Sequence, residues 1–124
     1  MKILISNSTS LPIYEQIKNQ VIDQILSDDL KEGQQLPSIR ALSKEIRISV
    51  MTVKKAYDEL ETEGYIETRQ GKGSFVSTKS QELAKDMKQQ EIETYIFKVV
   101  DLARAYGIPQ EEIFQLLELA YRSE

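Results

Sequence analysis

The stretch from Leu36 to Val76 reads LPSIRALSKEIRISVMTVKKAYDELETEGYIETRQGKGSFV, and its punctuation falls at short intervals. Pro37 disfavours helix at Leu36, and Ser38 can cap a helix in which Ile39, Leu42 and Ile46 share a face. Arg47-Ile48-Ser49 is then a tight turn. Ser49 can cap a second helix over residues 50–63, where Val53, Ala56, Tyr57 and Leu60 fall at the i, i+3, i+4, i+7 spacing of a buried stripe. Gly64 ends that helix. Residues 65–69 and 74–77 read as strands joined by Gln70-Gly71-Lys72-Gly73, a turn that needs positive φ. Two short helices and a glycine-tipped hairpin make a winged helix-turn-helix, a unit that carries the start of its second helix into a DNA groove.

The flanks read as support for that unit. Upstream, Ile13, Ile17, Val21 and Ile25 recur every four residues, with Tyr14, Ile22 and Leu26 widening the stripe, so a first helix is expected up to Lys31-Glu32-Gly33. Ile3, Leu4 and Ile5 are expected as a short strand, and residues 6–10 offer N-caps ahead of Pro12. Beyond Thr78 a polar portion with Leu83 and Met87 leads into a long amphipathic helix marked by Ile92, Tyr95, Ile96, Val99, Val100 and Ala103 and closed at Gly107. Pro109 suits the first position of a last helix, striped by Ile113, Leu116, Leu117, Ala120 and Tyr121. The fold class expected is mainly α with a small β-hairpin. Residues 1–78 form the winged helix-turn-helix domain and residues 79–124 a two-helix dimerisation tail.

A tail of that size is near the length, roughly 40 residues, below which a core does not stand alone without metals, disulfides or association. Its stripes need further partners, and a second copy of the same helix pair supplies them with two-fold symmetry. A homodimer is therefore expected, with Ile92, Ile96, Val99, Val100, Ile113, Leu116 and Leu117 at its interface.

The chain has 124 residues, no Cys and no His, which removes disulfides, nucleophilic Cys and His-based acid/base chemistry, and its carboxylates scatter along solvent-facing helix positions with no paired acids to nominate for catalysis. No enzyme activity, cofactor or metal is expected. No apolar run approaches the length of a signal-peptide core or a bilayer span, so the expected location is the cytoplasm, with no membrane partner. The formal charge is −4 overall, yet between Leu36 and Lys55 the cations Arg40, Lys44, Arg47, Lys54 and Lys55 face the single anion Glu45. An acidic chain with one basic stretch has one anionic docking face. Within the helix over 50–63 the cations precede the anions, so its start is the end that tolerates phosphate.

From Leu11 to Val76 the chain resembles the N-terminal domain of GntR-family bacterial transcription regulators. The markers are Pro12-Ile13-Tyr14 with Gln16-Ile17, Leu36-Pro37-Ser38 with Arg40 and Leu42, Thr52-Val53 with Ala56-Tyr57, Leu60-Glu61, Glu63-Gly64, and the run Gly71 to Val76. The short two-helix tail is similar to the YtrA-like branch of that family. The resemblance implies double-stranded DNA as partner and repression by binding a palindromic operator as a homodimer, with Arg40, Ser49, Thr52, Lys54 or Lys55, and the tip Gly71-Lys72-Gly73 approaching DNA. At Val50 and Met51 the chain departs from the family pattern, which often has Pro and a polar reader such as Asn. Two readings stay open there: contact with thymine methyls, or no base contact.

Each of these residues also has a structural reading. Arg40 can balance Glu45, Lys54 and Lys55 can pair with Asp58 and Glu59 at i+4, and Ser49 and Thr52 can do no more than cap a helix. Gly71-Lys72-Gly73-Ser74 is not a nucleotide loop, since Ile66 stands where the first glycine is required and Gly73 where a hydroxyl is required. The alternative to operator binding is a winged-helix protein-interaction module, which predicts binding insensitive to salt and to Arg40. A small-molecule effector, where there is one, belongs in the crevice between tail and winged domain or at the dimer seam.

Overall fold

The computed structural model describes residues 1–123, which form five helices and one two-stranded antiparallel sheet: α1 (Ile13–Leu26), α2 (Ile39–Ile46), α3 (Val50–Thr62), β1 (Ile66–Arg69), β2 (Gly73–Val76), α4 (Ser80–Ala105) and α5 (Gln110–Arg122). This is the expected mainly helical winged helix-turn-helix with a helical C-terminal region. The chain divides into two compact units, Met1–Asp86 and the residues from Met87 onward, and α4 begins in the first and continues in the second.

In the first unit α1 and α2 both pack on α3. Ile17, Val21, Ile22, Ile25, Leu42, Val53, Ala56 and Leu60 are all removed from solvent, so the stripes read from the sequence are the faces that meet. Ser38 caps α2 by accepting the Ala41 amide at 3.0 Å. At the far end of α3 the Tyr65 amide donates to the Leu60 carbonyl and that of Gly64 to Glu61, with Gly64 at φ +93°. That pair of bonds is the Schellman arrangement, and it turns the chain directly into β1. The hairpin pairs Ile66 with Val76 and Arg69 with Gly73.

Four expectations need correction. Helix α1 stops at Leu26, before Lys31, because Asp28 takes a positive φ of 68° and sends Leu30 back into the core. Residues 3–5 are not a strand. The extended backbone there is instead met at alternate residues, Lys2, Leu4 and Ser6, by a ladder of carboxamides one turn apart on α1, Gln16, Gln20 and Gln24: Gln20 accepts the Leu4 amide at 2.8 Å and donates to the Leu4 carbonyl at 2.6 Å, Gln16 does the same for Ser6, and Gln24 donates to the Lys2 carbonyl. A primary amide offers a donor and an acceptor side by side as a peptide does, so one helix face satisfies an extended segment without a partner strand. No side chain of residues 6–10 caps α1, whose cap position is Pro12. Pro109 likewise stands at the cap of α5, with the helix beginning at Gln110.

A further element was not read from the sequence. The backbone at 33–36 lies along β2 as a third, partial strand, with the Gly33 and Leu36 amides donating to Val76 and Ser74 and the Val76 amide donating to Gln34. It ties the approach to α2 onto the wing.

In the second unit Gly107, at φ +69°, closes α4 against α5, and the Ile108 amide donates to the Ala103 carbonyl. Among the described residues of this unit only Ala103 is buried. Tyr95, Phe97, Leu102, Phe114, Leu116 and Leu119 all remain more than half exposed. No helix among the described residues is long and apolar enough to cross a membrane.

Tyr57 makes stability fall at alkaline pH. Its hydroxyl donates to the Pro37 carbonyl at 2.7 Å, and burial pushes the phenol well above its ordinary value of 10. Lys18, held between Glu59 at 2.9 Å and Glu63 at 2.5 Å, acts in the same direction: burial lowers its ammonium, but hydrogen bonds and charge from Glu63 and Glu59 leave it above 10.5. Both contributions are whole below pH 10 and shrink as pH rises toward the folded values. Chemical denaturation should therefore show stability dropping above pH 10, by up to about 1.4 kcal/mol per pH unit from the one phenol. Tyr57→Phe should flatten that slope while costing about 1 kcal/mol at pH 7. An unchanged slope in the variant would refute the assignment.

Candidate nucleic-acid interface

The opening of α3 is built by its cap. Ser49 Oγ accepts the Thr52 amide at 3.2 Å and lies 2.8 Å from Thr52 Oγ1, so both hydroxyls are engaged within the first turn. Val50 and Met51 project from that turn into solvent. The turn before it is held by Ser43, whose hydroxyl donates to the Ile48 carbonyl and whose carbonyl accepts the Ile48 amide.

Arg47 sits in that turn at φ 58°, ψ 43°, in the left-handed region that side chains other than Gly and Asn seldom adopt. Left-handed backbone costs an L-residue roughly 1–2 kcal/mol, and glycine gives back part of that through its greater unfolded-state freedom. Arg47→Gly should thus raise stability by about 0.5–1 kcal/mol, seen as a rise of a few degrees in a thermal melt. A lower melting temperature would mean that the Arg side chain makes up for its own strain.

The cations divide into two groups. Lys54 pairs with Asp58 at 2.6 Å, which is the i+4 pairing read as one alternative. Lys55 does not pair with Glu59; its ammonium lies 4.1 Å from the centre of the Tyr14 ring on α1, and Glu59 goes to Lys18. Arg69 in the wing stacks over Phe75 at 4.3 Å and meets Glu67 at 2.9 Å. In contrast, Arg40, Lys44, Arg47 and Lys72 are exposed and have no ion-pair partner among the described residues; Arg40 does not meet Glu45. The structure thus leaves open cations on α2, in the turn after it and at the wing tip. Lys44 and Arg47 entered the sequence reading only as charges, because nothing local distinguishes a cation that finds a partner from one that does not.

The wing tip is braced from outside the hairpin. Gln35 donates its carboxamide to the Lys72 carbonyl at 2.7 Å, and a Cβ on Gly73 would come within 2.8 Å of the same nitrogen. Gly73, at φ +113°, therefore admits the brace as well as the turn. Gly71, at φ +76°, has open space around it and is needed for its backbone alone. Residues Gly71, Lys72 and Gly73 consequently form a held loop presenting one ammonium.

Residues 13–76 match the family described as bacterial regulatory proteins, gntR family. The chain is 34% identical over 116 residues to the HTH-type transcriptional repressor YtrA of Bacillus subtilis (strain 168), covering 94% of this chain and 89% of that protein. Among solved structures, a transcriptional regulator from Oenococcus oeni aligns with a TM-score of 0.81 at 26% identity, covering 94% of this chain and 97% of its own. AraR(DBD), crystallised in complex with operator ORX1, aligns with a TM-score of 0.55 at 28% identity over 62% of this chain and 96% of that one.

Proposed function

This chain belongs to the gntR family of bacterial regulatory proteins, whose members matched here are transcription regulators and not enzymes, and we propose that it represses transcription by binding a palindromic operator as a homodimer in the cytoplasm. Helix α3 enters the major groove with Ser49, Val50, Met51 and Thr52 leading. The hairpin of residues 65–77 lies beside it as the wing, with Lys72 between Gly71 and Gly73 on the backbone or in the minor groove. Arg40, Lys44 and Arg47 contact phosphate or base edges next to the helix start, while Lys54 and Lys55 exchange Asp58 and the Tyr14 ring for phosphate as DNA approaches.

The observation that carries this reading is the set of open cations on α2, in the turn before α3 and at the wing tip, together with the capped start of α3, in a chain whose net charge is negative. A capped helix start is itself an anion site, so the structural and binding roles of Ser49 coexist. AraR(DBD), a chain of similar fold, was crystallised in complex with an operator, which supports operator DNA as the partner. If Arg47 belongs to the contact, Arg47→Gly lowers affinity while stability rises.

Residues 1–78 act as the DNA-binding part and 79–124 as the dimerisation tail, with the first turns of α4 anchored on the former through Ser80 and Ala84, both fully buried. Ile92, Ile96, Val99, Val100, Ile113, Leu116 and Leu117 meet their copies in the partner.

The test is a salt-titrated binding assay on the DNA upstream of this protein's own gene against scrambled DNA. Preferential binding whose logarithm falls steeply with the logarithm of salt is the expected result. Equal affinity for both duplexes, or binding indifferent to salt, would overturn the proposal in favour of a protein-interaction role.

A further inference from the structure

The first turn of α3 offers DNA an unusual surface. Met51 is 81% exposed, the highest value among the large apolar side chains of the winged unit, and Val50 beside it is 45% exposed. The hydroxyls of the same turn are already engaged, those of Ser49 and Thr52 with each other. What this helix start presents, then, is a thioether chain and an isopropyl group.

Resting on the DNA-binding reading above, we propose that Met51, with Val50 beside it, reads thymine C5-methyl groups in the operator half-site. Among the groups by which the major groove distinguishes base pairs, the thymine methyl is the apolar one, set beside hydrogen-bond donors and acceptors. A donor or acceptor buried under Met51 would lose water and find no partner, whereas a methyl gains by the same burial. The helix start therefore discriminates for thymine over cytosine, which has only a hydrogen at C5 where thymine carries the methyl. The wing and the open cations supply affinity without that selection.

Deoxyuridine removes the methyl and leaves the pairing edge and charge untouched, so it isolates the contact. The upstream DNA of this protein's own gene is prepared with thymine or with deoxyuridine throughout, then with single replacements within the protected region. The wild-type chain should bind the thymine duplex more tightly, with a loss of about four-fold for each buried methyl removed and about fifteen-fold for a symmetric pair. Met51→Ala should bind the thymine duplex more weakly and no longer distinguish it from the uracil duplex, and Met51→Leu should restore part of the preference. The exposed position makes the melting temperature of both variants equal to that of the wild type.

Specific binding by the wild type that ignores every methyl overturns this inference and leaves the DNA-binding reading standing. So does a uracil penalty that persists undiminished in Met51→Ala. Equal wild-type affinity for upstream and scrambled DNA removes this inference together with the function it rests on.

Discussion

A chain carrying Leu117→Asp should sediment as a monomer and bind its operator at least about a hundred-fold more weakly than the wild type. Leu117 shares an apolar groove between α4 and α5 with Ile92, Ile96, Val99 and Phe114, a hollow of about 280 Å³ with almost no polar wall. Leu117 is itself 42% exposed, so a carboxylate there stays hydrated in a lone chain and does not unfold it. In the proposed dimer, facing its copy across a dry interface, the same carboxylate would have no partner and would lose its water. Once the two copies separate, the second half-site is no longer bound at the effective concentration set by the first, and the loss is of the order of 10²–10⁴. A truncation ending at Asp86 should behave alike, because it keeps Ser80, Leu83 and Ala84 on the winged unit, with Tyr65 donating to the Leu83 carbonyl at 3.5 Å. Either protein still sedimenting as a dimer would refute the role given to the tail.

Arg40→Ala should weaken operator binding by about ten- to a hundred-fold with a melting temperature close to that of the wild type. The side chain is exposed and no carboxylate holds it, so its removal orphans nothing in the free protein. In the proposed dimeric complex it would give a charge-assisted hydrogen bond in each of two subunits, and the loss would double. The slope of log affinity against log salt separates the two kinds of contact. A lost phosphate contact reduces the slope by about 0.9 in each half-site, whereas a lost guanine contact leaves the slope nearly unchanged and relaxes base preference. Lys72→Ala should reduce the slope and lower affinity across many sequences alike. A large melting loss at Arg40 with unchanged binding would mean that the residue is structural.

Features set by one segment were legible in the sequence. The caps at Ser38 and Ser49, the glycine stop at Gly64 and the face of Val53, Ala56, Tyr57 and Leu60 all depend on residues within a few positions of one another, and all stand in the fold. What escaped depends on contacts across the chain. The pairing of 33–36 with β2 uses backbone groups that every sequence has, so no residue pattern announces it. Gln16, Gln20 and Gln24 look like ordinary polar helix residues until the N-terminal segment lies against them.

The same division runs through the candidate interface. The glycines of the wing tip and the hydroxyl at the start of α3 were readable from local geometry. Which cation is open was not: Lys55 and Arg40 are both exposed and basic, yet one lies on Tyr14 from another helix and the other has no ion-pair partner among the described residues. Arg47 in left-handed backbone was hidden for the opposite reason, since sequence rules place glycine there and the chain departs from them.

Hydroxyl-radical footprinting of the full-length protein on the DNA upstream of its own gene is the most direct measurement of the central claim, that two winged units act as a symmetric pair on one duplex. The result expected is two protected patches on one face of the duplex, related by a two-fold axis and centred one helical turn, about 34 Å, or a multiple of it apart. A single protected patch with one chain per duplex, or protection spread evenly along the DNA, would contradict it.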